Sequence, residues 1–154
     1  MEHLRNDHNQ TTIFVDTDAF VASIKADDPN HERAKLLFEK LKAQPVHFLT
    51  SNYVFSETVT VLSQRVSKAV ALDYIDAMTT AHSPFLIKQA DEALEEKAIQ
   101  TFKEQTSKNT SYVDCTNIAF MRGLHLDAIF SFDGVYRTNK LMLVEDLLEQ
   151  EKAA

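Results

Sequence analysis

The chain has 154 residues, with 16 lysines and arginines against 23 aspartates and glutamates, a net charge of -7, two glycines and one cysteine. That length suits one domain, and 44% apolar with 25% charged residues is too apolar for a disordered chain. A lone Cys115 excludes an intrachain disulfide and a multi-cysteine zinc site, and the acidic balance argues against binding nucleic acid by wholesale neutralisation of phosphates.

Residues 1–11 read as a flexible, charged arm, which is not the pattern of a signal peptide, and no segment approaches the ~18 apolar residues that span a membrane. A soluble cytoplasmic protein is expected. Thr12 to Val15 is a short β-branched and aromatic run, a strand candidate, and Asp16 to Ile24 reads as helical. Asp27 to Asn30 punctuate the chain. Ala34, Leu37, Phe38 and Leu41 then recur at helical spacing until Gln44 and Pro45. Val46 to Leu49 is the second strand candidate. After it Thr50 or Ser51 caps a helix with Val54, Phe55, Thr58, Val61 and Leu62 on its apolar face. Ser67 to Met78 is a further helix and Pro84 to Ile87 a third strand candidate. Asp91 to Phe102 is a charged helix with Leu94, Ala98 and Phe102 inward. The helix from Ser111 to Arg122 is expected to stop at Gly123 in the left-handed conformation. Leu126 to Phe130 and Leu141 to Val144 are the last strand candidates, and 147–154 reads as a C-terminal tail.

Short apolar runs separated by helices predict an α/β fold, a three-layer α/β/α sandwich around a central, mainly parallel sheet of about five strands. In such sheets, sites lie beyond the C-terminal strand ends. Asp16 follows the first strand, Glu57 shares a helix face with Val54 and Val61 and is expected to point inward, Asp114 sits in a first helical turn, and Asp133 follows the fourth strand candidate. Four carboxylates brought together repel one another unless protons are kept or a cation is bound. Oxygen ligands without paired histidines or cysteines suit Mg²⁺ or Mn²⁺ and phosphoryl chemistry.

Each acid also has a plainer reading. Asp16 and Asp133 suit caps or turns, Ser111 with Asp114 has capping-box spacing, and Glu57 suits a structural ion pair. The six histidines form no ligand pair, and Cys115 reads as a small buried hydrophobe. Asn117 and Ser131 are candidates to support the acids by hydrogen bonds.

Phe14 to Thr17 with Ala19 and Phe20, Asp28 and His31 with Ala34, Ser56 to Thr58, Val113 to Arg122, and Ile129 to Asp133 together resemble the PIN-domain ribonucleases, particularly the single-domain VapC-type toxins. The resemblance covers residues 12–146. It implies a PIN-like α/β/α domain and Mg²⁺- or Mn²⁺-dependent hydrolysis of RNA at Asp16, Glu57, Asp114 and Asp133, the first and third meeting metal most directly. Thr17 and Ser131 match positions where the family has small hydroxyl residues. A homodimer and a cognate antitoxin that blocks the acidic site are also implied. Asp18 departs from the family pattern, which has a small neutral residue there. Arg122, Arg137 and Lys140 are candidate contacts to RNA. Two alternatives stand beside this: a haloacid-dehalogenase-type phosphatase using Asp16 and Asp18, and a non-catalytic PIN-like module that binds RNA or a protein partner.

Overall fold

The computed structural model describes residues 9–154, so most of the expected N-terminal arm lies outside the described residues. Strands β1 (Thr11–Val15), β2 (Val46–Ser51), β3 (Phe85–Lys88) and β4 (Ala128–Phe130) form one parallel sheet in the order β3-β2-β1-β4. Between them run α1 (Thr17–Ile24), α2 (His31–Lys42), α3 (Asn52–Arg65), α4 (Lys68–Thr79), α5 (Glu92–Glu104) and α6 (Tyr112–Gly123), and after β4 come α7 (Val135–Thr138) and α8 (Val144–Ala153). None of these helices is long and apolar enough to cross a membrane.

β1 and β4 are apolar at every fully buried position, whereas β2 ends on the buried hydroxyl residues Thr50 and Ser51. Ile13, Phe14, Val15, Ala128, Ile129 and Phe130 are fully buried, which requires helices on both faces. Alternation along the strands assigns those faces. Ile13 and Val15 share a side with their register partners Phe48 and Phe130, which meet Phe38 of α2 at ring distances of 6.1 and 4.4 Å. Phe14 points the other way and stacks on Phe120 of α6 at 5.7 Å. β3 and β4 are the two edge strands, and Leu86 of β3 is exposed.

The fifth strand does not form. Leu141 to Val144 contributes a single bridge between Ile129 and Leu143, because Val144 already opens α8. Residues 147–154, read as a tail, continue α8 to Ala153, with Leu148 buried against the core and Arg33 of α2 paired with Glu145. Phe102, read as inward, is 49% exposed.

Gly123 does not end α6 in the left-handed region either. Gly123 is the last helical residue, Leu124 caps the helix, and His125 takes the positive φ of 51°. Leu126 N–H then bonds to Met121 C=O at 3.0 Å and His125 N–H to Arg122 C=O at 3.4 Å, the paired bonds of a Schellman stop. The same device ends α7. Lys140 has φ of 61°, with Leu141 N–H on Tyr136 C=O and Lys140 N–H on Arg137 C=O, both at 2.9 Å.

The strand order matters for the site. β2 lies on one side of β1 and β4 on the other, so the chain leaves the C-terminal ends of β1 and β4 in different directions. That divergence opens a crevice at the switch point. Asp16 and Asp133 follow those two strands.

Candidate active site

A cleft of about 270 Å³ opens there, lined by Asp16, Thr17, Asp18, Glu57, Asp114 and Asp133, and further along by Val21, Val61, Asp28, Asn30 and Arg65. The four expected acids are therefore brought to one cavity. A larger cavity of about 590 Å³ between α1, α2 and α4 is lined mainly by Phe20, Ile24, Phe38, Tyr74, Met78 and Phe85, and holds none of these carboxylates.

Asp16 is the deepest of the acids, 7% exposed, and it both caps a helix and lines the cleft. Its Oδ1 caps α1 by accepting Thr17 N–H at 2.8 Å and also accepts the Asn117 amide at 3.1 Å. Its Oδ2 accepts the Tyr136 hydroxyl at 2.7 Å. Tyr136, fully buried on α7, also lies 3.4 Å from Asp114 Oδ1 and accepts the Asn117 amide at 2.9 Å. Asp114 completes the capping box of α6: its Oδ2 accepts Ser111 N–H at 2.9 Å while its own N–H bonds to Ser111 Oγ at 3.0 Å. Asp133 Oδ1 accepts Val135 N–H at 2.9 Å, a turn that starts α7. In Asp114 and Asp133, then, the oxygen that serves the backbone is distinct from the one left over.

Glu57 differs from expectation. The i, i+4 spacing with Val61 puts it on the cleft wall, but its side chain is exposed there, because the cleft itself is open to solvent.

Asp18, whose place was open in the sequence, turns into the site. Its Oδ2 accepts Ser131 O–H at 2.9 Å and Phe132 N–H at 2.8 Å, and its Oδ1 is buried without a partner among the described residues. Ser131 thus supports Asp18 directly, and it reaches the quartet only by accepting Asp133 N–H at 3.1 Å. Thr17, besides its N–H on Asp16, accepts the Thr58 hydroxyl at 3.2 Å, tying α1 to α3.

Crowding shows in the acid strengths. Burial first, then the Asp18 charge, pushes Asp16 up to about 7, against the lowering effect of Tyr136 and Thr17. Burial likewise lifts Asp18 to about 6 despite its bonds from Phe132 and Ser131. Asp114, half-buried, is raised mainly by burial with Asp133 adding, and Glu57 is raised by the desolvating cleft wall and by Asp16 and Asp114, an effect that its solvent-exposed position weakens. Such a group is stabilised by keeping protons or by gaining a cation.

The three proposed RNA cations are not at this cleft. Arg137 is bound to Asp146 through two bonds of 2.8 Å, Arg122 donates to Asn139 C=O at 3.2 Å, and Lys140 is the left-handed stop of α7. Arg137 and Arg122 tie α7 and its end to neighbouring elements, while the Lys140 side chain is exposed. The basic residue that does line the cleft is Arg65.

A PIN domain model matches residues 13–140. The chain belongs to the PIN-domain family. The PIN domain is 33% identical over 124 residues, 79% of this chain and 89% of the relative, to the protein named 23S rRNA-specific endonuclease VapC20 of Mycobacterium tuberculosis, in two strains alike. The crystal structure of Mycobacterium tuberculosis VapC20, titled a Sarcin-Ricin loop cleaving toxin, matches it with a TM-score of 0.75 at 28% identity, over 84% of this chain and 96% of that one. Membership replaces the haloacid-dehalogenase alternative built on Asp16 and Asp18.

Tyr136 and Arg65 are the residues that sequence reading missed. Tyr136 belongs to a four-residue helix too short for a periodic signal, although Asp133 followed by Gly134 marks a turn that starts one. Arg65 lies two turns beyond Glu57 on the face that carries Val61, and that spacing was the available signal.

Proposed function

We propose that this PIN domain is a metal-dependent endoribonuclease of the toxin type, cutting RNA phosphodiesters at the cleft of Asp16, Glu57, Asp114 and Asp133. The observation that carries the reading is the gathering of these four acids, each from a different segment, at the switch point of the sheet.

The donor set fits a hard cation. Every candidate ligand atom is a carboxylate oxygen, the charges raise one another's proton affinity, and a buried Asp18 oxygen lacks a donor. Among the described residues no three acidic, histidine or cysteine side chains gather closely enough to hold an ion alone. Mg²⁺ and Mn²⁺ need no such closed set, since they bind through one or two carboxylates and complete their shell with water and substrate phosphate. Asp16 and Asp114 would hold the ion, with Asp133 and Glu57 beside them. When bound, it neutralises phosphate charge and lowers the pKa of water.

The chain's own residues do the rest. Tyr136 and Asn117 fix the rotamer of Asp16, and the capping box fixes Asp114, so the oxygens that meet a ligand are set before it arrives. Glu57, with its raised proton affinity and open position, takes the proton of the attacking water. Asp18 keeps the turn after β4 in place through Ser131 and Phe132.

The sarcin-ricin loop of 23S rRNA, the target named for VapC20, makes ribosomal RNA the first substrate to try. The toxin reading adds a homodimer, a cytoplasmic site of action and a cognate antitoxin that covers the cleft. The test is cleavage of ribosomal RNA and unrelated RNAs with Mn²⁺, Mg²⁺ or a chelator, alongside growth on expression with and without the neighbouring gene. Metal-dependent cutting and growth arrest relieved by that gene are expected. Metal binding with no cutting of any RNA would favour the non-catalytic module.

A further inference from the structure

We propose that Arg65 grips a phosphate flanking the one being cut, so that the groove between α1 and α3 is the track along which the RNA strand lies. This rests on the ribonuclease reading above and extends it to substrate binding.

The groove follows from helical register. α1 and α3 both start at the C-terminal ends of neighbouring parallel strands and pack on each other. Thr17 and Val21 recur at i, i+4 on α1, and Glu57, Val61 and Arg65 at i, i+4, i+8 on α3, and all of them line the cleft. The cavity therefore runs from the carboxylates beyond the C-terminal strand ends, past Val21 and Val61, towards Arg65. Eight residues of helix separate Arg65 from Glu57 by about 12 Å along the axis, farther than a guanidinium reaches back, so the phosphate it meets is a neighbour of the reacting one.

Charge makes the same point. The other charged residues lining the cleft are Asp16, Asp18, Asp28, Glu57, Asp114 and Asp133, all repelling a polyanion until a cation is bound. Arg65 is exposed and forms no ion pair among the described residues, whereas Lys25, Arg33 and Arg137 are each held by a carboxylate. A guanidinium offers a forked set of donors that matches phosphate oxygens. The plainer role for Arg65 is to complement the C-terminal end of α3, in whose last turn it lies.

Steady-state cleavage of single-stranded RNAs of graded length, with Mn²⁺, by the wild type, Arg65→Ala and Arg65→Lys separates the two. Arg65→Ala is expected to raise KM roughly tenfold with a much smaller change in kcat, and Arg65→Lys to recover part of the loss. Its log KM should also depend less on log salt, by a slope of about 0.7, as for one lost contact to a single strand. The difference should shrink on RNAs too short to reach from the cut to Arg65. An active wild type with the same KM and salt slope as Arg65→Ala, and a lowered Tm in the variant, would leave Arg65 as a helix-end charge and overturn the proposal. A wild type that cuts none of the RNAs would instead remove the ribonuclease reading itself, and this inference with it.

Discussion

The hydroxyl of Tyr136 lies 2.7 Å from Oδ2 of Asp16, both are buried, and this bond joins the helix after β4 to the first residue after β1. Removing it leaves a buried carboxylate with an oxygen unsatisfied. Tyr136→Phe should cost about 1–3 kcal/mol of stability, seen as a lower Tm. Because Tyr136 holds Asp16's pKa down, the variant's Asp16 should titrate still higher, and the acid limb of metal-dependent cleavage should move to higher pH. A loss of roughly 10–100-fold in metal affinity or cleavage is expected, as for other groups that orient a ligand. Metal titration across a pH series checks both effects.

Asp16 and Asp18 give the metal-free protein a definite pH dependence. Each has a folded pKa above the ordinary value of 3.8, about 7 for Asp16 and about 6 for Asp18, so the folded state binds more protons than the unfolded one between those limits. Their contribution is fully present below about pH 4 and is lost as pH rises through about 7. Without divalent cation, then, this contribution to Tm falls over that window, and Mn²⁺ should raise Tm more at high pH than at low pH, where protons compete with it. Thermal scans with chelator and with Mn²⁺ read both trends, and a Mn²⁺ effect that grew on acidification would contradict them.

Two left-handed residues predict gains in stability. His125 and Lys140 take positive φ where glycine does so without steric cost. His125→Gly and Lys140→Gly should each stabilise by about 0.5–1 kcal/mol, although the greater freedom of glycine in the unfolded chain offsets part of this. Gly123 is helical with open space around the position of a Cβ, so Gly123→Ala should add a similar amount. Denaturant midpoints measure all three.

The parts of this protein that were legible in its sequence are those written as periodic patterns. β1, β2 and the helices from α1 to α6 followed from apolar spacing, and the parallel arrangement followed from their alternation. Asp16, Asp114 and Asp133 were legible because they sit at strand ends and first turns, where topology alone brings them to one cleft. What stayed hidden depended on contacts or on short elements. Asp18 reads identically whether it turns in or out, and its direction was set by donors more than a hundred positions later, at Ser131 and Phe132. The stop of α6 moved past Gly123 because the Schellman bonds formed around His125, a choice that residue preference does not reveal. Arg137 gave no sign in the sequence of its pairing with Asp146, which α8 brings beside α7.

Cleavage of RNA by Asp16→Asn and Asp114→Asn, measured with Mn²⁺ against the wild type, tests the central claim most directly. Asp16→Asn removes a buried charge whose pKa is raised but also replaces one of the two oxygens that accept from Thr17, Asn117 and Tyr136 by an amide donor, so the Tm of both variants at about pH 8 without metal is read alongside to separate lost activity from unfolding. Both variants should fold, and neither should cut RNA at a rate above the metal-free background. Wild-type rates of Mn²⁺-dependent cleavage in either variant would contradict that claim.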